Sequence, residues 1–87
     1  MTNLDRAYTA EVCLNHFVHL TGPALSIKEA AGDLIANIGH YCQSGGLDYL
    51  SIVKTGIGHW TVEQQEPDGL DPLPDVTITI HQGKYPM

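Results

Sequence analysis

Val76-Thr77-Ile78-Thr79-Ile80-His81 is the stretch on which the reading of this chain turns. β-Branched residues alternate with period two, so Val76, Ile78 and Ile80 point to one face and Thr77, Thr79 and His81 to the other. The pattern predicts a strand. A single strand leaves a row of N–H and C=O groups unpaired and is not stable alone in water. No other segment reads as its partner, because the rest of the chain reads as helix. The expectation is therefore antiparallel pairing with the same strand of a second copy, with Val76, Ile78 and Ile80 at the interface.

Upstream of the strand, residues 66 to 75 hold Pro67, Asp68-Gly69, Pro72 and Pro74, too many prolines and turn residues for a helix. Before that linker, three helices are expected. The first runs from residue 3 or 4 to 20, capped by Thr2 or Asn3, with Asp5 at the positive end of its dipole and Gly22-Pro23 as its stop. The second opens on Ser26-Ile27-Lys28-Glu29, a capping-box pattern, and stops at Ser44-Gly45-Gly46. Its apolar stripe is Ile27, Ala30/Ala31, Leu34, Ile38 and Tyr41, widened by Ile35 and Cys42. The third starts at residue 47 or 48 and reaches about residue 65, with Leu50, Val53, Ile57 and Trp60 spaced by three, four and three as a core-facing stripe. Gly56 and Gly58 weaken its middle. Gly32, Ala36 and Gly39 form a strip of small residues that would let another helix approach the second one closely.

The expected fold class is thus mainly α: a three-helix small domain with a C-terminal β-strand that pairs across a homodimer. Residues 1–66 form the helical part, and residues 67–87 form the linker and strand of the same single domain. Bulk properties point the same way. A chain of 87 residues buries only about 60–65% of its unfolded surface, which leaves a single core marginal. Only 16% of residues are charged, so uncharged surface must face outward or be covered by a partner.

The charge balance is acidic, four Lys+Arg against ten Asp+Glu for a net −6, and Arg6, Lys28, Lys54 and Lys84 are scattered singly. Nucleic-acid binding needs clustered cations, and an anionic lipid surface repels such a chain, so neither is expected as a partner. The chain opens on the polar Met1-Thr2-Asn3-Leu4-Asp5-Arg6, and no apolar run approaches about 18 residues, so a cytoplasmic location is expected. Cys13 and Cys42 then pack as reduced thiols.

Five histidines require a metal site to be weighed. His16, His19, His40 and His59 are the candidates, with Cys13 three residues before His16. Steps of three turn about 300° each, so Cys13, His16 and His19 drift around their helix and cannot converge on one ion unaided. Zinc requires about four ligands in a tetrahedral array, and no paired Cys-x-x-Cys motif supplies them. An inter-helix site adding His40 and His59 is the remaining arrangement. His59 with Glu63, and Asp33 with Asn37 and His40, are the candidate base–carboxylate sets, and both also fit ordinary polar helix faces. No activated-serine elbow, phosphate-cradling glycine loop or dinucleotide fingerprint occurs, so no catalytic residue and no cofactor is assigned.

The run Glu29-Ala30-Ala31-Gly32-Asp33-Leu34-Ile35, with Gly58-His59-Trp60, resembles small bacterial proteins carried on plasmids and other mobile elements. The resemblance implies no fold, ligand or active residue. The functional expectation is a small acidic non-enzymatic protein, a homodimeric protein–protein interaction or regulatory module. The alternatives are a small metal- or ligand-binding protein using the inter-helix histidines, and a phage- or plasmid-type inhibitor. The inhibitor would present carboxylates in place of nucleic-acid phosphates, and Asp5, Glu11, Asp33, Asp48, Glu63 and Glu66 would then share one face.

Overall fold

The computed structural model describes residues 1–23, 26–69 and 71–82. The end of the chain at 83–87, with Lys84 and Tyr85, lies outside the described residues. Three helices form, α1 (Asn3–Thr21), α2 (Ile27–Gly45) and α3 (Tyr49–Gln65), each within about two residues of its expected bounds.

Local chemistry sets those bounds. The Thr2 hydroxyl accepts from the Asp5 N–H at 3.1 Å and the Asp5 carboxylate accepts from the Thr2 N–H at 2.8 Å, a complete capping box at α1. At α2 the Ser26 hydroxyl accepts from the Glu29 N–H at 3.1 Å. At α3 the Asp48 carboxylate accepts from the Ser51 N–H at 3.2 Å. The reciprocal box therefore belongs to α1, where only a cap was expected. Gly46 ends α2 in the left-handed conformation (φ 71°, ψ 24°), with the Leu47 N–H donating to the Cys42 carbonyl at 2.8 Å. A side chain at Gly46 would be strained, and this is the stop that Ser44-Gly45-Gly46 predicts.

The helices meet near their ends. Phe17, Val18 and Thr21 of α1 lie beside Ala30, Asp33 and Ala36 of α2. At the other end of α2, Tyr49 at the start of α3 sits on Gly39. The start of α1 is tied to the end of α3 through Asn3, Arg6 and Glu63. Little is covered in between. The buried apolar side chains among the described residues are Ala30, Cys42 and Val62. The accessible surface is 7386 Å², whereas a compact monomer of 9.5 kDa exposes about 5,000 Å². The radius of gyration, 15.5 Å, exceeds the roughly 12 Å of a compact domain of this length.

Two expectations are corrected here. The strand at 76–81 does not form within the single chain: residues 72–82 carry no helix or strand, and no strand occurs among the described residues. The cause is the one that makes a lone strand unstable, since every other regular element is helical and offers no ladder. Val76 and Ile78 are half-buried, Thr77 and Thr79 are exposed, and Ile80 is exposed as well, so the alternation survives at 76–79 as burial without pairing. The second correction concerns α3. Its expected core stripe keeps only Val53 half-buried, while Leu50, Ile57 and Trp60 are exposed. Gly58 and Val62 are buried instead. Leu73 and Pro74 close over that face, where a Cβ at Gly58 would stand 3.7 Å from the Leu73 Cβ and 3.8 Å from the Pro74 Cδ. The proline-rich linker thus covers one side of α3, and its fixed backbone reduces the entropy lost in doing so.

Candidate functional site

The most connected polar group is the junction of α1 and α3. Arg6 lies one turn into α1, where its guanidinium reaches three partners at once. Its Nη1 donates to the Asn3 Oδ1 at 2.8 Å, its Nη2 donates to the Pro67 carbonyl at 2.8 Å, and its Nε stands 3.4 Å from the Glu63 Oε2. The Asn3 Nδ2 donates to the Glu63 carbonyl at 2.8 Å. A planar fork of donors suits this role, because each N–H meets a separate acceptor without bending the side chain. Arg6 is thereby committed to holding the chain together.

Beside this junction is a cleft of about 420 Å³ lined by Asn3, Arg6, Ala7, Trp60, Glu63 and Gln64. Trp60 is 61% exposed there. A second cleft, about 250 Å³, lies between α1 and α2, and its lining includes the apolar Phe17, Val18 and Ala30 and the polar Glu29, Asp33 and Asn37. Among the described residues no buried side-chain nitrogen or oxygen lacks a hydrogen-bond partner, so neither cleft holds an orphaned polar group waiting for a ligand.

The histidines are dispersed. His16, His19, His40 and His59 are all exposed, and among the described residues no three His, Cys, Asp or Glu side chains gather where one ion could bridge them. Glu63, considered as the group orienting His59, faces Arg6 instead. Asp33 and Asn37 line the α1–α2 cleft, but His40 is not part of its lining. Cys42 is buried and Cys13 is exposed, so only Cys42 packs as a small hydrophobe. Of the carboxylates considered for phosphate mimicry, Asp5 and Asp48 cap helices and Glu63 pairs with Arg6. Backbone hydrogen bonding from Thr2 holds the Asp5 carboxyl below the usual carboxylate range, with a smaller contribution from Arg6.

Half of the small-residue strip on α2 is used. The Tyr49 ring lies where a Cβ of Gly39 would stand 3.1 Å from its Cε2, whereas nothing lies within 4 Å of such an atom at Gly32. Sequence reading missed Tyr49 as the residue that fixes α2 against α3, because spacing shows which residues share a face and not what crosses it. The apolar helix surface left over is extensive. Ile27, Ile38 and Tyr41 on α2 and Leu50, Ile57 and Trp60 on α3 remain exposed. Among the described residues no helix is long and apolar enough to cross a membrane. Comparison with protein family models, with curated proteins and with solved structures finds no match.

Proposed function

We propose that this chain is a small non-enzymatic protein–protein interaction or regulatory module that works as a homodimer. The observation that carries the reading is the imbalance between a core of Ala30, Cys42 and Val62 and the many large apolar side chains left exposed on all three helices. Burying an apolar side chain stabilises by about 1.5–3 kcal/mol, and this chain leaves most of that stabilisation unrealised on its own. A second copy is always available at the concentration of the first, and a two-fold interface covers the same surface on both partners. The finer part of the proposal is that Val76, Ile78 and Ile80 pair antiparallel with the same residues of the partner, giving the 76–81 segment the ladder it lacks alone.

Light scattering behind size exclusion, on untagged protein over a range of concentrations, tests the reading. The expected mass is twice the 9.5 kDa of the chain. A monomer at every concentration overturns it. For the strand, Ile78→Asp is expected to give monomeric or unfolded protein, and a folded dimer in that variant would remove strand pairing from the proposal.

A further inference from the structure

We propose that the cleft between the start of α1 and the end of α3 binds a single uncharged sugar ring, with Trp60 as its aromatic contact and Arg6, Glu63 and Gln64 as its polar contacts. All of these residues belong to one chain, so the proposal does not rest on the homodimer reading.

The cleft is built from two matching triplets. Asn3, Arg6 and Ala7 on α1, and Trp60, Glu63 and Gln64 on α3, each sit at positions i, i+3 and i+4, the spacing that puts three side chains on one helix face. Each triplet supplies two polar groups and one apolar group. At about 420 Å³ the space falls within the roughly 300–1,000 Å³ of small-molecule sites, which combine apolar lining with a few placed polar groups. Those polar groups are held in advance. Arg6 is fixed by Asn3, Pro67 and Glu63, and Asn3 by the Glu63 carbonyl, so a ligand meeting them forfeits little side-chain entropy. They are not used up either. A guanidinium has five N–H groups; Arg6 directs one from each Nη to the chain and its Nε to Glu63, which leaves one N–H on each Nη. Among the described residues the Glu63 Oε1, the Gln64 amide and the Trp60 indole N–H make no hydrogen bond. Arg6 and Glu63 are half-buried and Gln64 and Trp60 are exposed, so solvent serves these groups in the free protein and a ligand exchanges with it.

Charge and placement select the ligand class. Arg6 and Glu63 stand 3.4 Å apart and neutralise each other, so neither an anion nor a cation finds an unmatched charge here. The open donors and acceptors come from both helices. A planar heterocycle carries its polar atoms along its edge, in the plane of the ring, and one helix would suffice to read such an edge. A pyranose carries hydroxyls around its whole rim, each both donor and acceptor, and keeps a C–H face that packs on the electron-rich face of an aromatic ring. Trp60 lines this cleft and is 61% exposed, which leaves much of the indole free for that contact.

Titration of the wild-type protein with glucose, galactose, mannose and N-acetylglucosamine, each free and as its methyl glycoside, tests the proposal. Trp60 is the chain's only tryptophan, so its emission and acrylamide quenching report on the cleft directly. The expected result is a saturable blue shift and loss of quenching with at least one sugar, at a Kd of about 1–10 mM. The two forms separate a free sugar from a residue within a glycan chain, and saturation by either supports the proposal. Saturation-transfer NMR on the bound sugar then compares variants. Gln64→Ala should weaken binding about three- to tenfold and Trp60→Ala more than about tenfold, with Trp60→Phe restoring part of the loss. Asp33→Asn, in the α1–α2 cleft, should leave binding unchanged. No saturable response to any of these sugars below about 100 mM overturns the proposal. So does tighter binding of adenine than of every sugar, which would make the cleft a heterocycle site, and so does sugar binding that Gln64→Ala and Trp60→Ala both leave intact. The titration uses wild-type protein, so it decides the matter even if a variant does not fold.

Discussion

Tyr49 packs its ring against Gly39. A Cβ at Gly39 would stand 3.1–3.3 Å from three carbons of the ring. From that position the Tyr49 hydroxyl donates to the Ile35 carbonyl, one turn earlier on α2, at 2.7 Å. The contact is possible because Gly39 has no side chain and because the Gly46 stop returns the chain to α2 within three residues. One aromatic residue thus sets the position of α3 on α2 by both shape and hydrogen bonding.

Removing that hydroxyl tests the bond. Tyr49→Phe is expected to lower unfolding stability by about 0.5–1.5 kcal/mol, the usual net value of one hydrogen bond. Gly39→Leu should cost more, about 1–3 kcal/mol, because it displaces the ring. Urea midpoints at a fixed protein concentration measure both, and a Tyr49→Phe midpoint equal to wild type would show that the bond contributes nothing.

Gly58 permits the opposite kind of change. A methyl group there would meet Leu73 and Pro74 at 3.7–3.8 Å, an ordinary contact distance. Gly58→Ala should therefore stabilise the protein by up to about 1 kcal/mol through helix propensity. Gly58→Leu should force residues 73–74 off α3. A raised thermal midpoint checks the first, and faster proteolysis at residues 71–76 checks the second.

Arg6 holds α1 to α3 through Asn3, Pro67 and Glu63. Arg6→Met keeps much of the aliphatic stem and is expected to lose about 1–2 kcal/mol, since two of the contacts are charge-assisted bonds to neutral oxygens of a half-buried group. Arg6→Lys should not restore it, because one ammonium cannot reach three separate acceptors in the geometry of a planar fork. Chemical denaturation of the two variants side by side decides the point.

Asp5 gives the capping box an acid limit. Its folded-state carboxyl titrates below the ordinary range because Thr2 hydrogen-bonds the charged form. A depressed folded value means that the contribution is complete above the unfolded value of about 3.9 and is lost as pH falls through the lower folded value. Wild-type helicity at the start of α1 should therefore decline below about pH 4, and Asp5→Asn should abolish that component. Amide exchange of residues 3–6 between pH 5 and pH 3 is the measurement, and an unchanged profile in Asp5→Asn would refute the assignment.

Caps, stops and helix lengths were legible in the chain because they depend on neighbours within four or five residues. Thr2, Ser26, Asp48 and Gly46 each act on backbone groups of their own turn, so their meaning is carried by local order. The α3 stripe was legible only as a pattern. Leu50, Val53, Ile57 and Trp60 recur at core spacing, yet the buried residues are Gly58 and Val62 on another side. Periodicity identifies an apolar face without identifying what covers it. The histidines illustrate the same limit: their number invited a metal site, and their placement disperses them over the surface.

What the sequence determined by itself is the set of three helices, the acidic balance and the unfitness of residues 66–75 for helix, all consequences of backbone preferences and short-range hydrogen bonds. Only the tertiary structure decided that Tyr49 anchors on Gly39, that Arg6 ties the first helix to the last, that Leu73 and Pro74 cover Gly58, and that 76–81 finds no ladder among the described residues of its own chain. Those contacts join residues from 10 to 61 positions apart, and their formation depends on which faces remain after every helix has been placed. Spacing along one element cannot specify that choice, because the free energy of burial depends on both surfaces that meet.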